Sequence, residues 1–306
     1  MKLRLYWIKF KTYLEVAASR FVYNFNKFVP NVKAKRNIKY VEKGNKYNKL
    51  DVFYPVNTGK EKLPVVVYFH GGGWAAYSKT CYATLCKKIA AMGYVVFNCN
   101  YSLAPKHKMP KIIADAKEAI LFANKNASKF GGDGNKICLG GDSAGAHISS
   151  FVSALATSGN FDGWLSKEEA DKFCKIVKAN MLFYGAFDLN SILFSDFHDI
   201  VAYMGGLVNL KDKTVSETLK SYSPVHLITP SFPPSLVASG EIDKLHESQS
   251  KVFADVLDEN KVHCEKVFFE QNEFRAMHAY MVIDGLKTTE TTFNCVEAFL
   301  SEVFDK

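Results

Sequence analysis

From residue 37 onward the hydrophobic pattern alternates between two periods. Val65-Val66-Val67-Tyr68-Phe69 is a continuous apolar run after Pro64, which predicts a strand buried on both faces. Runs at 94–98, 137–139, 177–184, 235–238 and 265–269 predict further strands. Between them apolar residues recur at helical spacing, over 81–92, 110–129 (through Ile112, Ala116, Ile120 and Ala123), 144–157, 246–258 and 292–304. Two earlier strands, 38–42 and 50–54, flank the Gly44-Asn45 turn. Alternating strands and helices predict an α/β fold with a mostly parallel sheet covered on both faces. Residues 190–222 interrupt the rhythm, being rich in aromatics (Phe194, Phe197, Tyr203 and Tyr222) without a clear strand. An insertion of this kind is often a lid.

The first 36 residues form a separate basic, amphipathic segment. Leu3, Trp7, Phe10, Leu14, Ala17, Phe21, Phe25 and Phe28 fall on one side of a helix, with Lys2, Lys9, Arg20 and Lys27 away from that stripe, and Pro30 ends the run. The stripe either packs on the protein as part of a lid, lies weakly on an anionic membrane surface through residues 1–29, or docks a partner. Lys9, Lys11 and Glu15 interrupt it too early for a signal peptide or a bilayer span.

The net charge of +8 sharpens this division. Residues 1–49 carry thirteen Lys or Arg against Glu15 and Glu42, so the remainder is slightly acidic. A basic footprint confined to one end, with no recognition module beside it, excludes a nucleic-acid binder. The seven scattered cysteines suit neither a disulfide framework nor a metal site, so a cytoplasmic protein, peripheral at most to a membrane, is expected.

Candidate chemistry begins where an apolar run meets a small-residue turn and a helix, at Gly141-Asp142-Ser143-Ala144-Gly145. A serine on a sharp strand-to-helix turn needs neighbours of negligible bulk two positions either side, and Gly-x-Ser-x-Gly supplies them. Its hydroxyl needs a base, and the base an orienting acid. Asp243 and His278 stand in loops after later strands, giving the chain order Ser, Asp, His. His70-Gly71-Gly72-Gly73-Trp74 follows a predicted strand, and its backbone can approach a ligand closely. With Ala144, the N–H groups of Gly72 and Gly73 are candidate oxyanion donors. Gly71, Trp74 and Asp142 are candidate substrate contacts, although the Asp142 side chain must diverge from Ser143 at the turn and is better suited to anchoring loops. The glycine run is not followed by Gly-Lys-Ser/Thr and opens no Gly-x-Gly-x-x-Gly helix, which argues against a nucleotide.

Taken together, His70-Gly71-Gly72-Gly73-Trp74, Tyr101-Ser102-Leu103-Ala104-Pro105, Gly141-Asp142-Ser143-Ala144-Gly145, Asp243 and His278 resemble the hormone-sensitive-lipase-like branch of the α/β-hydrolases, the Gly-Asp-x-Gly esterases. The resemblance covers residues 38–304. It implies an eight-stranded sheet, a lid built from the N-terminal segment and the insertion at about 190–222, and hydrolysis of carboxylic esters with short to medium acyl groups. The substrate would be a small-molecule ester, with no cofactor needed because water completes deacylation.

Two departures bear on the substrate. Ser102 stands where the family usually has Arg, and Ala146-His147 replaces the common second glycine. Ser-Ala-Gly-Ala-His is similar to the elbow of kynurenine formamidase and prenylcysteine methylesterase relatives, so an arylformamidase or methylesterase is the alternative enzyme. A small-molecule receptor on the same fold is the non-enzymatic alternative, and it would be expected to lack one of the three residues. His147 is expected to be packed and hydrogen-bonded inside the fold. Asp188 and, more weakly, Glu241 are rival acids, while His226, His246 and His263 are expected to serve packing or the surface. No His, Cys or carboxylate cluster has metal-ligand spacing.

Overall fold

The computed structural model describes residues 27–56, 62–160, 163–195, 204, 206–271 and 275–304. The expected amphipathic helix of the N-terminal segment and the middle of the 190–222 insertion lie outside these residues.

The strands are β1 (Val32–Lys39), β2 (Lys49–Pro55), β3 (Leu63–Phe69), β4 (Val95–Cys99), β5 (Gly132–Asp142), β6 (Val177–Phe183), β7 (Ser235–Gly240) and β8 (Cys264–Phe269). They form one sheet in the order β1-β2-β4-β3-β5-β6-β7-β8. β2 runs antiparallel to both its neighbours, and every pairing from β4 to β8 is parallel. The chain steps outward from β3 to β4, then crosses back to β5 on the other side of β3. The sheet therefore reverses its direction of winding between β3 and β5, where the loops at the strands' carboxyl ends diverge and leave a crevice.

Helices cover both faces as the alternation of β3 requires. Val65, Val67 and Phe69 point into one core with α2 (Met109–Asn126) and α3 (Ala144–Ser158). Val66 and Tyr68 point into the other with α1 (Ala83–Ala91) and α8 (Lys287–Phe304). Residues buried on both sides of a strand explain why these segments read as continuous apolar runs.

Three elements differ from the sequence reading. β1 spans 32–39 rather than 38–42, and most of its side chains are exposed. As an edge strand it shows no buried face for alternation to report, and Lys33, Lys35, Arg36 and Lys39 make that edge strongly basic, a composition that discourages pairing with another chain. α4 (Lys167–Ile176) has no counterpart among the predicted helices, although Ser166 and Glu169 form a reciprocal capping box and Ala170, Phe173 and Ile176 lie three apart on its buried side. The helix expected over 246–258 is divided, with a π-type turn at His246–Lys251 before α7 (Val252–Glu259). The insertion contributes α5 (Leu189–Leu193) and α6 (Val215–Ser221). Among the described residues no helix is long and apolar enough to cross a membrane.

Candidate active site

Ser143 ends the β5-to-α3 turn at φ 49° and ψ −117°, a conformation sparsely populated by residues with a side chain. Two contacts explain the flanking glycines. A Cβ at Gly141 would lie 2.3 Å from the carbonyl carbon of Gly145, and one at Gly145 would lie 2.0 Å from the carbonyl oxygen of Phe69. The turn is held by Ser143 N–H donating to Phe183 O at 2.9 Å, and by His147 N–H donating to Ser143 O at 3.0 Å.

His278 arrives from the loop after β8 and bridges two of the predicted residues. Its Nε2 lies 3.0 Å from Ser143 Oγ and its Nδ1 lies 2.8 Å from Asp243 Oδ2. Asp243 is buried, and its other oxygen accepts from Leu245 N–H at 2.9 Å, which fixes the carboxylate plane. Burial alone would pull the His278 pKa down, but the charge and hydrogen bond of Asp243, with a further contribution from Asp142, raise it overall. Tyr184 packs against the imidazole edge-on, 5.0 Å between ring centres.

The loop after β3 leaves the carboxyl end of that strand, at the point where the winding reverses. Gly72, Gly73 and Trp74 have φ of 110°, 57° and 59°, and Gly72 O accepts from the N–H groups of Ala75 and Ala76. Both glycines are partly exposed, and Ala144 N–H, at the first position of α3, is one of the donors that a helix leaves without an internal acceptor. His70 anchors the start of the loop: its Nδ1 donates to Gly71 O at 2.7 Å, its ring stacks on Tyr101 at 4.3 Å, and Tyr101 Oη donates to its carbonyl. Burial lowers the His70 pKa to about 4, so the ring is neutral at pH 7.

The expected substrate contacts require correction. Trp74 and Asp142 are each 1% exposed, and Gly71 is buried as well. Trp74 turns inward because its indole N–H finds an acceptor in His147 Nδ1 at 3.2 Å. Asp142 turns beneath the glycine loop, where Tyr82 Oη donates to its Oδ2 at 2.9 Å, and a Cβ at Gly71 would lie 2.5 Å from that oxygen. Burial raises the Asp142 pKa to about 7 against the opposing pull of Tyr82, His278 and the Gly71 N–H.

The rivals occupy other places. Asp188 Oδ1 caps α5 by accepting from the N–H groups of Asn190 and Ser191, and lies 3.8 Å from His226. Glu241 Oε2 accepts from Gln271 N–H. His246 bonds Ser239 Oγ, and His263 stacks on Phe299. His147 is fully buried, as its place one turn into the helix implies. Cys86, Cys99 and Cys138 have thiols pushed far up by burial, so none competes as a nucleophile near neutral pH. Among the described residues the fold also makes a juxtaposition that the spacing along the chain does not signal: ligand atoms of Glu241, His246 and Glu247 come within 4.8 Å of one another. Glu247 is paired there with Lys251.

A mostly parallel sheet with this strand order, a strained serine turn after β5 and a hydrogen-bonded Ser–His–Asp line define an α/β-hydrolase. Within that class the chain belongs to the BD-FAE family, whose model matches residues 50–257. It is 30% identical over 260 residues to the esterase LipC of Mycobacterium tuberculosis, covering 83% of this chain and 62% of LipC. It is also 30% identical over 254 residues to the isoprenylcysteine α-carbonyl methylesterase ICME of Arabidopsis thaliana, covering 80% of this chain and 55% of ICME. The chain thus spans little more than half the length of these relatives. In fold it is similar to esterase B of Lactobacillus rhamnosis, with a TM-score of 0.81 at 20% identity over 98% of this chain and 96% of that one.

Proposed function

We propose that the chain is a serine hydrolase of carboxylic esters with short to medium acyl groups. Ser143 Oγ attacks the ester carbonyl carbon as its proton passes to His278 Nε2, and Asp243 holds the Nδ1–H tautomer and offsets the imidazolium charge. The N–H groups of Gly72, Gly73 and Ala144 stabilise the oxyanion; losing one such donor typically costs about 3 kcal/mol of barrier. The imidazolium then protonates the departing alcohol. Water, deprotonated by the same imidazole, attacks the acyl-serine and releases the acid. The observation that carries this reading is the pair of hydrogen bonds at His278. Its test is Ser143→Ala: turnover of p-nitrophenyl acetate and labelling by a fluorophosphonate should both vanish, and wild-type turnover in that variant would end the assignment.

A second reading, a methylesterase or arylformamidase using the same acyl transfer, is favoured by Ala146-His147 and by the similarity to the methylesterase ICME. A panel of acyl esters of graded length beside a prenylcysteine methyl ester and N-formylkynurenine separates the two readings. The N-terminal segment and the 190–222 insertion are proposed to cover the crevice, in a cytoplasmic protein with its thiols reduced. Weak attachment of residues 1–29 to anionic lipid is a further proposal. Equal pelleting with anionic liposomes of the full chain and a chain lacking residues 1–29 would remove it.

A further inference from the structure

His147 has one imidazole and two partners on different elements. Trp74 Nε1–H donates to its Nδ1 at 3.2 Å, and its Nε2–H donates to Tyr222 O at 2.8 Å. Only the neutral tautomer with its proton on Nε2 satisfies both, since Nδ1 must offer a lone pair to one while Nε2 offers a proton to the other. Burial, opposed by the bond to Tyr222, lowers the His147 pKa to about 4, so that tautomer persists at working pH.

The two partners are not equivalent. Trp74 closes a run of three residues at positive φ, and it alone of the three has a side chain to strain that conformation. Its buried indole, set edge-on to the His147 ring at 5.3 Å, is the side chain that holds the turn at its carboxyl end, beside the backbone bond from Ala104 N–H to Trp74 O at 2.9 Å, as His70 holds it from the other. Tyr222 caps α6, at the far end of the insertion. Its ring meets Trp164 at 5.3 Å, Trp164 meets Phe151 at 5.2 Å, and Phe151 stacks on His147 at 5.6 Å, so a chain of ring contacts leads from Tyr222 back to the imidazole that its carbonyl accepts from.

We propose that His147 is a positioning residue for the glycine loop, joining Trp74, and with it the aim of the Gly72 and Gly73 N–H groups, to the carboxyl end of the insertion at Tyr222. The inference rests on reading those N–H groups as oxyanion donors. It gives the Ala146-His147 departure a role in catalysis rather than only in packing. Donors mis-aimed by a loosened loop bind the ground-state carbonyl almost as before and the oxyanion less well, so the loss falls on kcat rather than KM.

The test uses the full chain with p-nitrophenyl acetate and an alkyl trifluoromethyl ketone, whose carbonyl carbon takes Ser143 Oγ to give a tetrahedral oxyanion while the proton passes to His278. His147→Phe and Trp74→Phe should each lower kcat about tenfold with KM within about twofold. Ketone affinity should fall by the same factor. The double variant should be no worse than the poorer single, because both break the Trp74–His147 bond. His147→Asn, which keeps an acceptor near the Nδ1 position, should recover part of the loss. Wild-type kcat in either Phe variant, additive losses in the double, or a loss confined to KM would overturn the proposal. Should His147→Phe not fold, Trp74→Phe, which removes the indole donor together with part of a buried ring, is read beside His147→Asn, which leaves Trp74 intact: a loss in Trp74→Phe with no partial recovery in His147→Asn overturns the proposal. A parent enzyme that neither turns over the ester nor takes a fluorophosphonate label would bring down the reading of the site itself, and the proposal with it. An active, labelled parent with unaffected variants brings down the proposal only.

Discussion

Asp142 accepts a 2.9 Å hydrogen bond from Tyr82 Oη directly beneath Gly71, one residue before the proposed nucleophile. Burial raises this carboxyl from its ordinary 3.8 to about 7, which makes it a source of pH-dependent stability. A folded-state pKa above the unfolded value means that the native state holds the proton more tightly. Its contribution is therefore fully present below about pH 4 and is lost as pH rises through 7. Asp142→Asn, uncharged at every pH, should flatten the stability profile between pH 4 and 7. At pH 8 it should be more stable than the parent by up to roughly 4 kcal/mol, measured by urea unfolding. An unchanged slope would show that Asp142 is not the group titrating.

The same carboxylate reaches His278. Asp243 first, then Asp142, raise the imidazole pKa against the effect of burial. The proposed base must be neutral to act, so the acid limb of kcat/KM is expected above pH 6.5, and removing a negative charge should move it to lower pH. Asp142→Asn is thus expected to shift that limb downward while leaving the plateau within about tenfold of the parent. A pH–rate profile for p-nitrophenyl acetate checks this, and an upward shift would contradict the charge arrangement.

Discrimination between the acids rests on their partners. Asp243→Asn removes the acceptor for His278 Nδ1–H and should lower kcat/KM by about 10⁴-fold. Asp188→Asn keeps a capping side chain at the start of α5, so activity should remain within about threefold and stability within about 0.5 kcal/mol. Reversed losses would exchange the assignments.

Much of this arrangement was legible because the relevant residues obey local rules. Gly141 and Gly145 appear in the sequence as a spacing, and in the fold as backbone contacts that no Cβ could enter. The order Ser143, Asp243, His278 and the strand preceding each loop were enough to bring the three together. What sequence carried only in part was the direction in which side chains leave the turns: it turned Asp142 away from Ser143, but held no sign that Trp74 points inward. Trp74 and Asp142 stand next to exposed chemistry in the chain, yet both turn inward toward acceptors or donors contributed from far away, His147 and Tyr82. The bounds of β1 were hidden for a different reason, since an exposed edge strand buries no face and leaves no period. α4 did leave a signal, the Ser166–Glu169 capping box, in a stretch whose apolar residues are too few to stand out.

A buried ion pair ties the segment beyond the glycine loop to the antiparallel edge of the sheet. Lys79, 5% exposed, places Nζ 2.6 Å from Asp51 Oδ1 on β2 and 3.0 Å from Asn37 Oδ1 on β1. Asp51→Asn would leave this ammonium buried without its counter-charge, and a loss of about 3–5 kcal/mol is expected. Asp51→Asn combined with Lys79→Met should cost less than the two single changes added together, measured by thermal or urea unfolding. Strict additivity would mean the two charges are solvated independently.

Gly145, in the first turn of α3, and Gly159, just past its end, separate steric cost from dihedral cost. At Gly145 a Cβ would meet the Phe69 carbonyl oxygen at 2.0 Å, and that carbonyl ends β3 where the loop carrying Gly72 and Gly73 begins. Gly145→Ala can be accommodated only by moving the serine turn away from the glycine loop. A stability loss of about 3 kcal/mol is expected, the upper end for overpacking, together with a fall in kcat of about 100-fold as the proposed nucleophile and oxyanion donors separate. Gly159 has φ 74° and open space around a Cβ, so Gly159→Ala should cost only about 1–2 kcal/mol through backbone strain and leave kcat unchanged. Unfolding and turnover measured on both variants distinguish the two mechanisms. Wild-type kcat in Gly145→Ala would show that the gap between the serine turn and the glycine loop can widen without consequence for the chemistry.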